Sequence, residues 1–251
     1  MRLLKKIISK IYLVWVLLVF NVFMLIFLPI IVLPILLGEK YGNVTYFGLY
    51  LWSWVFSRLT FIGYKIEGRE NVDKRKSYIY TSNHTSFLDV PGLRLGIPTQ
   101  FRPLAKKELL KIPGFGLIVR VATIVVDRSN NESRKRSVKR LKQALDSGIS
   151  ILIFPEGTQN RTDQPLQPFY DGAFRIAIET NTPIIPIVVI NAGNLMPPSK
   201  LDIKPGRIKV IFGQEVAVEG YGLSDLPFLK EKVFNAMKDI VERESGDKYL
   251  K

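Results

Sequence analysis

Apolar and polar positions fall into two regimes along the chain. Arg2, Lys5, Lys6 and Lys10 lead into residues 11–37, a run of 27 positions without a charge. As a helix this run would be about 40 Å long, more than the roughly 30 Å of bilayer hydrocarbon. A secretory signal has a similar basic start, but its apolar core is shorter and ends at a small-residue cleavage site, which the sequence before Gly38 lacks. Pro29 and Pro34 each remove a helix hydrogen bond and predict a kinked rod. A turn at Gly38, Glu39, Lys40 and Gly42 leads into residues 44–63, a second apolar stretch holding Tyr46, Tyr50, Trp52, Trp54 and Arg58. Such aromatic side chains favour the membrane–water boundary. Residues 1–63 are therefore predicted to form a membrane-anchoring helical hairpin that either enters one leaflet and returns or crosses twice. The kinked first helix and amphipathic second favour the shallow form.

Beyond residue 63 the apolar runs shorten and alternate. Strands are predicted at 64–70, ending at 80, and at 122–126, 149–154, 182–190 and 208–212. Helices are predicted after His84 and at 129–148, 171–180 and 226–244. Strands alternating with helices indicate an α/β domain over residues 64–251, a central sheet flanked by helices. In the 129–148 helix, Val138, Leu141 and Leu145 mark one apolar face. Arg134, Lys135, Arg136, Lys139, Arg140 and Lys142 cover much of the rest, which suits a solvated face, anionic headgroups or an acidic carrier protein. No aromatics interleave there, so stacking on single-stranded nucleic acid is unsupported and no nucleic-acid partner is expected.

Composition narrows the chemistry. The 251 residues carry a formal charge of +14, no cysteine and one histidine. Without cysteine there is neither a disulfide nor a thiolate nucleophile, and a zinc or iron site is not expected. The basic balance suits anionic lipid, nucleic acid or an acidic protein, and the apolar N-terminus points to lipid.

The single imidazole, His84, lies in Ser77–Val90, SYIYTSNHTSFLDV, five residues before Asp89. Five positions apart on one continuous helix, the two side chains would diverge by about 140°. They meet if His84 occupies the turn after a strand and Asp89 lies inside the following helix. A carboxylate on one ring nitrogen fixes the tautomer, and the other nitrogen can then take and return a proton near neutral pH. A second strand-and-turn, ISILIFPEGTQNR at 149–161, carries Glu156, Gly157 and Thr158, with Arg161 three residues on.

Asn83-His84-x-x-x-x-Asp89, Val126-Asp127-Arg128, Phe154-Pro155-Glu156-Gly157-Thr158 and Pro183-Ile184-Ile185-Pro186 occur in that order, with FYDGAF at 169–174. Together they resemble the four blocks of the glycerolipid acyltransferases, most similarly the 1-acylglycerol-3-phosphate acyltransferases. The resemblance implies transfer of a fatty acyl group from a thioester, on acyl carrier protein or coenzyme A, to the 2-hydroxyl of lysophosphatidic acid. His84 and Asp89 would be the catalytic base pair, and Lys106, Arg128, Glu156, Gly157, Thr158 and Arg161 would bind substrate. No cofactor beyond the thioester co-substrate and no metal are implied. The setting would be a bacterial inner membrane, with the catalytic domain on its cytoplasmic face. The family usually places an arginine directly after Glu-Gly-Thr; here Gln159 and Asn160 intervene, and Arg161 is expected to take over its contacts. Glycerol-3-phosphate or another lysophospholipid is the alternative acceptor. A membrane-tethered basic protein that binds anionic lipid is the alternative of another class.

Overall fold

A computed structural model describes residues 2–38, 41–127, 129–200 and 202–245. Two helices lead the chain, α1 (Arg2–Leu37) and α2 (Gly42–Leu59). They run antiparallel: Thr45 Oγ1 donates to Ile31 O at one end, and Trp15 Nε1 to Leu59 O at the other, both at 2.8 Å. Close approach depends on Gly48, where a Cβ would come within 3.0 Å of the Ile30 and Ile31 side chains. α1 continues through Pro29 and Pro34. Its segment Leu4–Leu37 has a mean hydropathy of 3.0 and is only 22% buried in its most apolar window, and among the described helices it alone is long and apolar enough to cross a membrane.

The rest is built on seven strands: β1 (Ile62–Glu67), β2 (Ile79–Ser82), β3 (Phe101–Lys106), β4 (Ile124–Val126), β5 (Ser150–Ile153), β6 (Ile184–Ile190) and β7 (Gly206–Phe212). Their spatial order is β1-β7-β6-β2-β5-β3-β4. All neighbours are parallel except β6 and β7. The helices are α3 (Asp89–Gly96), α4 (Phe115–Ala122), α5 (Asn131–Asp146), α6 (Gly172–Thr180), α7 (Ala192–Leu195) and α8 (Leu226–Ser245).

Pleating sends alternate side chains to two cores. Ile79, Ile151 and Ile184 pack with α5, α6 and α8, through residues such as Leu141, Ile176 and Val233. Tyr78, Tyr80 and Ile185 pack on the other face with Leu93 of α3 and with Val16, Val19, Tyr46 and Phe56 of the leading helices. Coverage on both faces is why the central strands read as unbroken apolar runs, not alternating ones.

Besides the single turn of α7, two elements lie where the sequence pattern suggested none. β3 runs through Pro103, which has no N–H to donate. Its pairing passes from β5 over residues 101–103 to β4 over residues 104–106, so the proline falls at the switch. α4 begins in what reads as a Pro113-Gly114-Phe115-Gly116 turn. Its Ile118 and Ala122 pack against Met24, Ile31 and Trp52, so its apolar face is matched by the leading helices and not by the sheet.

Candidate active site

The parallel strands β2, β3, β4, β5 and β6 end on the same edge of the sheet, the edge where open α/β sheets place their ligands. His84 follows β2 there. The turn is clamped to β6 by Asn83, whose buried amide donates to Val189 O at 2.9 Å and accepts from Val189 N at 2.7 Å. His84 is itself held at three points. Its N–H donates to Glu156 Oε1 at 2.9 Å, its carbonyl accepts from Asn160 N–H at 2.6 Å, and its ring stacks on Phe154 with centroids 4.1 Å apart and planes 20° apart.

Asp89 is the first residue of α3, as the spacing requires, and His84 Nδ1 lies 2.8 Å from its Oδ2. The N–H groups of Thr85 and Ser86 donate to the same oxygen at 2.8 and 2.9 Å. An oxygen already accepting two N–H bonds acts as an acceptor, so Nδ1 carries the imidazole proton and Nε2 keeps its lone pair. The Asp89 side chain is 0% exposed and that of His84 18%, so the carboxylate is sealed while the ring reaches the surface.

Glu156 follows β5. Oε1 accepts from His84 N–H and Oε2 from Gln167 N–H, each at 2.9 Å. Burial pushes its carboxyl above the usual carboxylate range, against the opposing pull of those two donors. Both oxygens therefore brace the backbone of the turn and of the 164–168 loop. A glutamine has one acceptor oxygen and would leave one of these N–H groups facing an amide N–H. Glu156→Gln should cost about 1–3 kcal/mol, read as a fall in Tm of roughly 2–12 °C for a chain of this size. Gly157 continues the turn at φ 73°, a left-handed conformation that disfavours any side chain.

Two cavities of about 490 Å³ flank this assembly. One, mostly apolar, is walled by Phe154, Glu156, Gly157 and Thr158 together with Leu104 and Ile176. The other is polar and includes Asn83, Thr85, Asn160, Arg161, Asn191 and Asn194. The expected binding residues are thus divided: Glu156, Gly157 and Thr158 line the first and Arg161 the second. Lys106 ends β3, paired with Val126 of β4, exposed and lining neither of these two cavities. Arg128 lies outside the described residues. Its neighbour Asp127 pairs with Lys107, and that lysine, with Ser129, holds the Asp127 carboxyl down to about 2. The exits of β3 and β4 are fastened together by this pair. Phe154, Asn83 and the Thr85 and Ser86 amides were not identified as site groups from sequence. Phe154 had a signal, an aromatic at the exit of a strand inside a recognisable block; backbone donors have none.

Among the described residues, no group of three or more His, Asp and Glu could hold a metal ion. A family model described as acyltransferase matches residues 63–190. The mouse (Mus musculus) 1-acyl-sn-glycerol-3-phosphate acyltransferase alpha is 30% identical over 230 residues, 89% of this chain and 79% of that protein. The coconut (Cocos nucifera) 1-acyl-sn-glycerol-3-phosphate acyltransferase is 33% identical over 205 residues, 81% of this chain and 63% of that protein. The crystal structure of a 1-acyl-sn-glycerophosphate acyltransferase from Thermotoga maritima superimposes with a TM-score of 0.83 at 21% identity, covering 96% of this chain and 98% of that one. The ordered motifs, the sheet and these likenesses agree, and the chain belongs to the acyltransferase family.

Proposed function

We propose that this acyltransferase moves a fatty acyl group from a thioester to the 2-hydroxyl of 1-acylglycerol-3-phosphate, forming phosphatidic acid. The observation that carries the reading is the His84 Nδ1–Asp89 Oδ2 contact of 2.8 Å at the carboxyl edge of the sheet, close to both an apolar and a polar cavity. His84 Nε2 takes the proton of the acceptor hydroxyl as its oxygen attacks the thioester carbonyl carbon. The tetrahedral oxyanion collapses, the C–S bond breaks, and the leaving thiolate recovers the proton from His84. No acyl-enzyme forms. Glu156, Gly157, Thr158 and Arg161, with Lys106 and Arg128, bind substrate, the cations pairing with the acceptor phosphate.

Residues 1–63 serve as the anchor and 64–251 as the catalytic domain, a division supported by the family model starting at residue 63. Only α1 among the described helices has the length and apolarity to span, and α2 carries Arg58, so entry into one leaflet is favoured over two crossings. The basic residues Arg2, Lys5, Lys6 and Lys10 in the first turns of α1, with a cytosolic thioester donor, support a domain on the cytoplasmic face of a bacterial inner membrane.

The purified full chain, reconstituted in liposomes, should form phosphatidic acid from lysophosphatidic acid with an acyl carrier protein or coenzyme A thioester. Transfer to glycerol-3-phosphate alone would keep the base and replace the acceptor. No transfer by a folded, membrane-bound chain would overturn the reading.

The α5 face bears on the donor. α5 packs on the sheet face opposite α1 and α2, so its exposed Arg136, Lys139 and Arg140 point away from the anchor. Arg134, on the same helix, lines the apolar cavity beside Glu156. A basic surface remote from the anchor suits a soluble acidic carrier. Charge reversal of Arg136, Lys139 and Arg140 to glutamate should raise KM for an acyl carrier protein thioester by about tenfold or more, with a smaller change for coenzyme A. Equal changes for both donors would count against carrier docking there.

A further inference from the structure

One cavity takes no part in the reaction above. It lies where α2 meets the β1 edge of the sheet and has a volume of about 670 Å³. Arg58, Arg69 and Arg207 line it together with Tyr50, Trp54 and Phe61, and its lining contains no Asp or Glu. None of the three arginines has a carboxylate partner among the described residues, and nearby Glu67 is occupied by Lys65 at 2.8 Å. Three positive charges therefore converge on one concavity without internal neutralisation.

The cavity is also built. The Arg58 guanidinium lies over the Trp54 ring, 5.6 Å from its centroid, which limits the orientations of its donor fork. Phe61, at φ 56° in a region bulky residues rarely adopt, is held 72% exposed at the rim. Trp54 is 45% exposed beside it. Exposed aromatics with an arginine at the end of an apolar helix are what a membrane–water boundary selects. The planar forks of arginine match phosphate oxygens.

We propose that this cavity binds a phosphate group, presented by the headgroup of an anionic phospholipid at the bilayer surface, at a site separate from that of the acyl acceptor. Arginines reach the phosphate from α2, from the turn after β1 and from β7, while Trp54 and Phe61 contact the adjoining glycerol and acyl region. The inference rests on the membrane placement of the leading helices proposed above and not on the reaction.

Calorimetric titration of the full chain in neutral detergent with dihexanoyl phosphatidylglycerol tests it. Saturable binding is expected, weakened about tenfold or more when Arg58, Arg69 and Arg207 are all changed to glutamine, and weakened less when all three become lysine, which keeps the charges and loses the planar forks. Dihexanoyl phosphatidylcholine should bind more weakly to the wild type. Inorganic phosphate binding as tightly as the anionic lipid would support the phosphate site and remove the lipid as its source. Unsaturable binding, or equal affinity of wild type and the glutamine variant, would overturn the proposal. Acyl transfer to a short-chain lysophosphatidic acid should stay within about twofold of wild type in the glutamine variant. Absence of transfer in the wild type would count against the catalytic reading, and failure of the wild type to float with phosphatidylcholine vesicles against the membrane placement. Neither would alter the calorimetric comparison.

Discussion

Replacing His84 by alanine is expected to lower acyl transfer by a factor of about 10²–10⁴. The sequence contains one histidine and no cysteine, so no second imidazole or thiol can assume the role. The fold should survive, because the turn is held largely by groups other than this ring. Asn83 keeps both hydrogen bonds to Val189, and the His84 backbone keeps its bonds to Glu156 and Asn160. What is lost is the stack on Phe154 and one of three donors to Asp89 Oδ2. The informative measurement is acyl transfer beside a thermal melt of the same preparation. A folded His84→Ala protein with wild-type transfer would end the base mechanism, whereas an unfolded one would move the test to His84→Gln.

The fold and the site were legible to different depths. Strong periodicity located β2, β5, β6, α5 and α8, and the spacing of five between His84 and Asp89 required the strand–turn–helix arrangement observed. β3 escaped because Arg102 and Pro103 interrupt its apolar pattern, and only the change of partner from β5 to β4 makes a proline tolerable there. α4 escaped because its apolar face is matched by the leading helices, a contact between segments about ninety residues apart. For Glu156, the family resemblance implied a contact with substrate. Its two backbone donors, from His84 and Gln167, become visible only when the exits of β2 and β5 lie side by side. Backbone amides are identical in every residue, so sequence could not name Thr85 and Ser86 as the groups that orient Asp89.

Asp89→Asn separates the charge of the buried carboxylate from its shape. Three donors, His84 Nδ1–H and the amides of Thr85 and Ser86, converge on Oδ2. An asparagine oxygen placed there still accepts all three, while its NH₂ takes the place of Oδ1, 3.5 Å from Thr85 Oγ1. The local geometry is therefore retained and the negative charge beside the imidazolium is lost. Transfer should fall, by less than the roughly 10⁴-fold loss seen where an asparagine imposes the wrong tautomer, with kcat carrying most of the loss, because the charge matters once His84 has gained its proton. Asp89→Ala differs, since it strands buried N–H groups and should also destabilise the fold by about 1–3 kcal/mol for each one left unpaired. The decisive comparison is the double variant. If Asp89 acts only through His84, His84→Ala with Asp89→Asn should be no slower than His84→Ala alone, because groups that work as a unit do not add. Multiplied losses would instead assign Asp89 a contribution independent of the imidazole, and the pair would have to be reassigned as two separate groups.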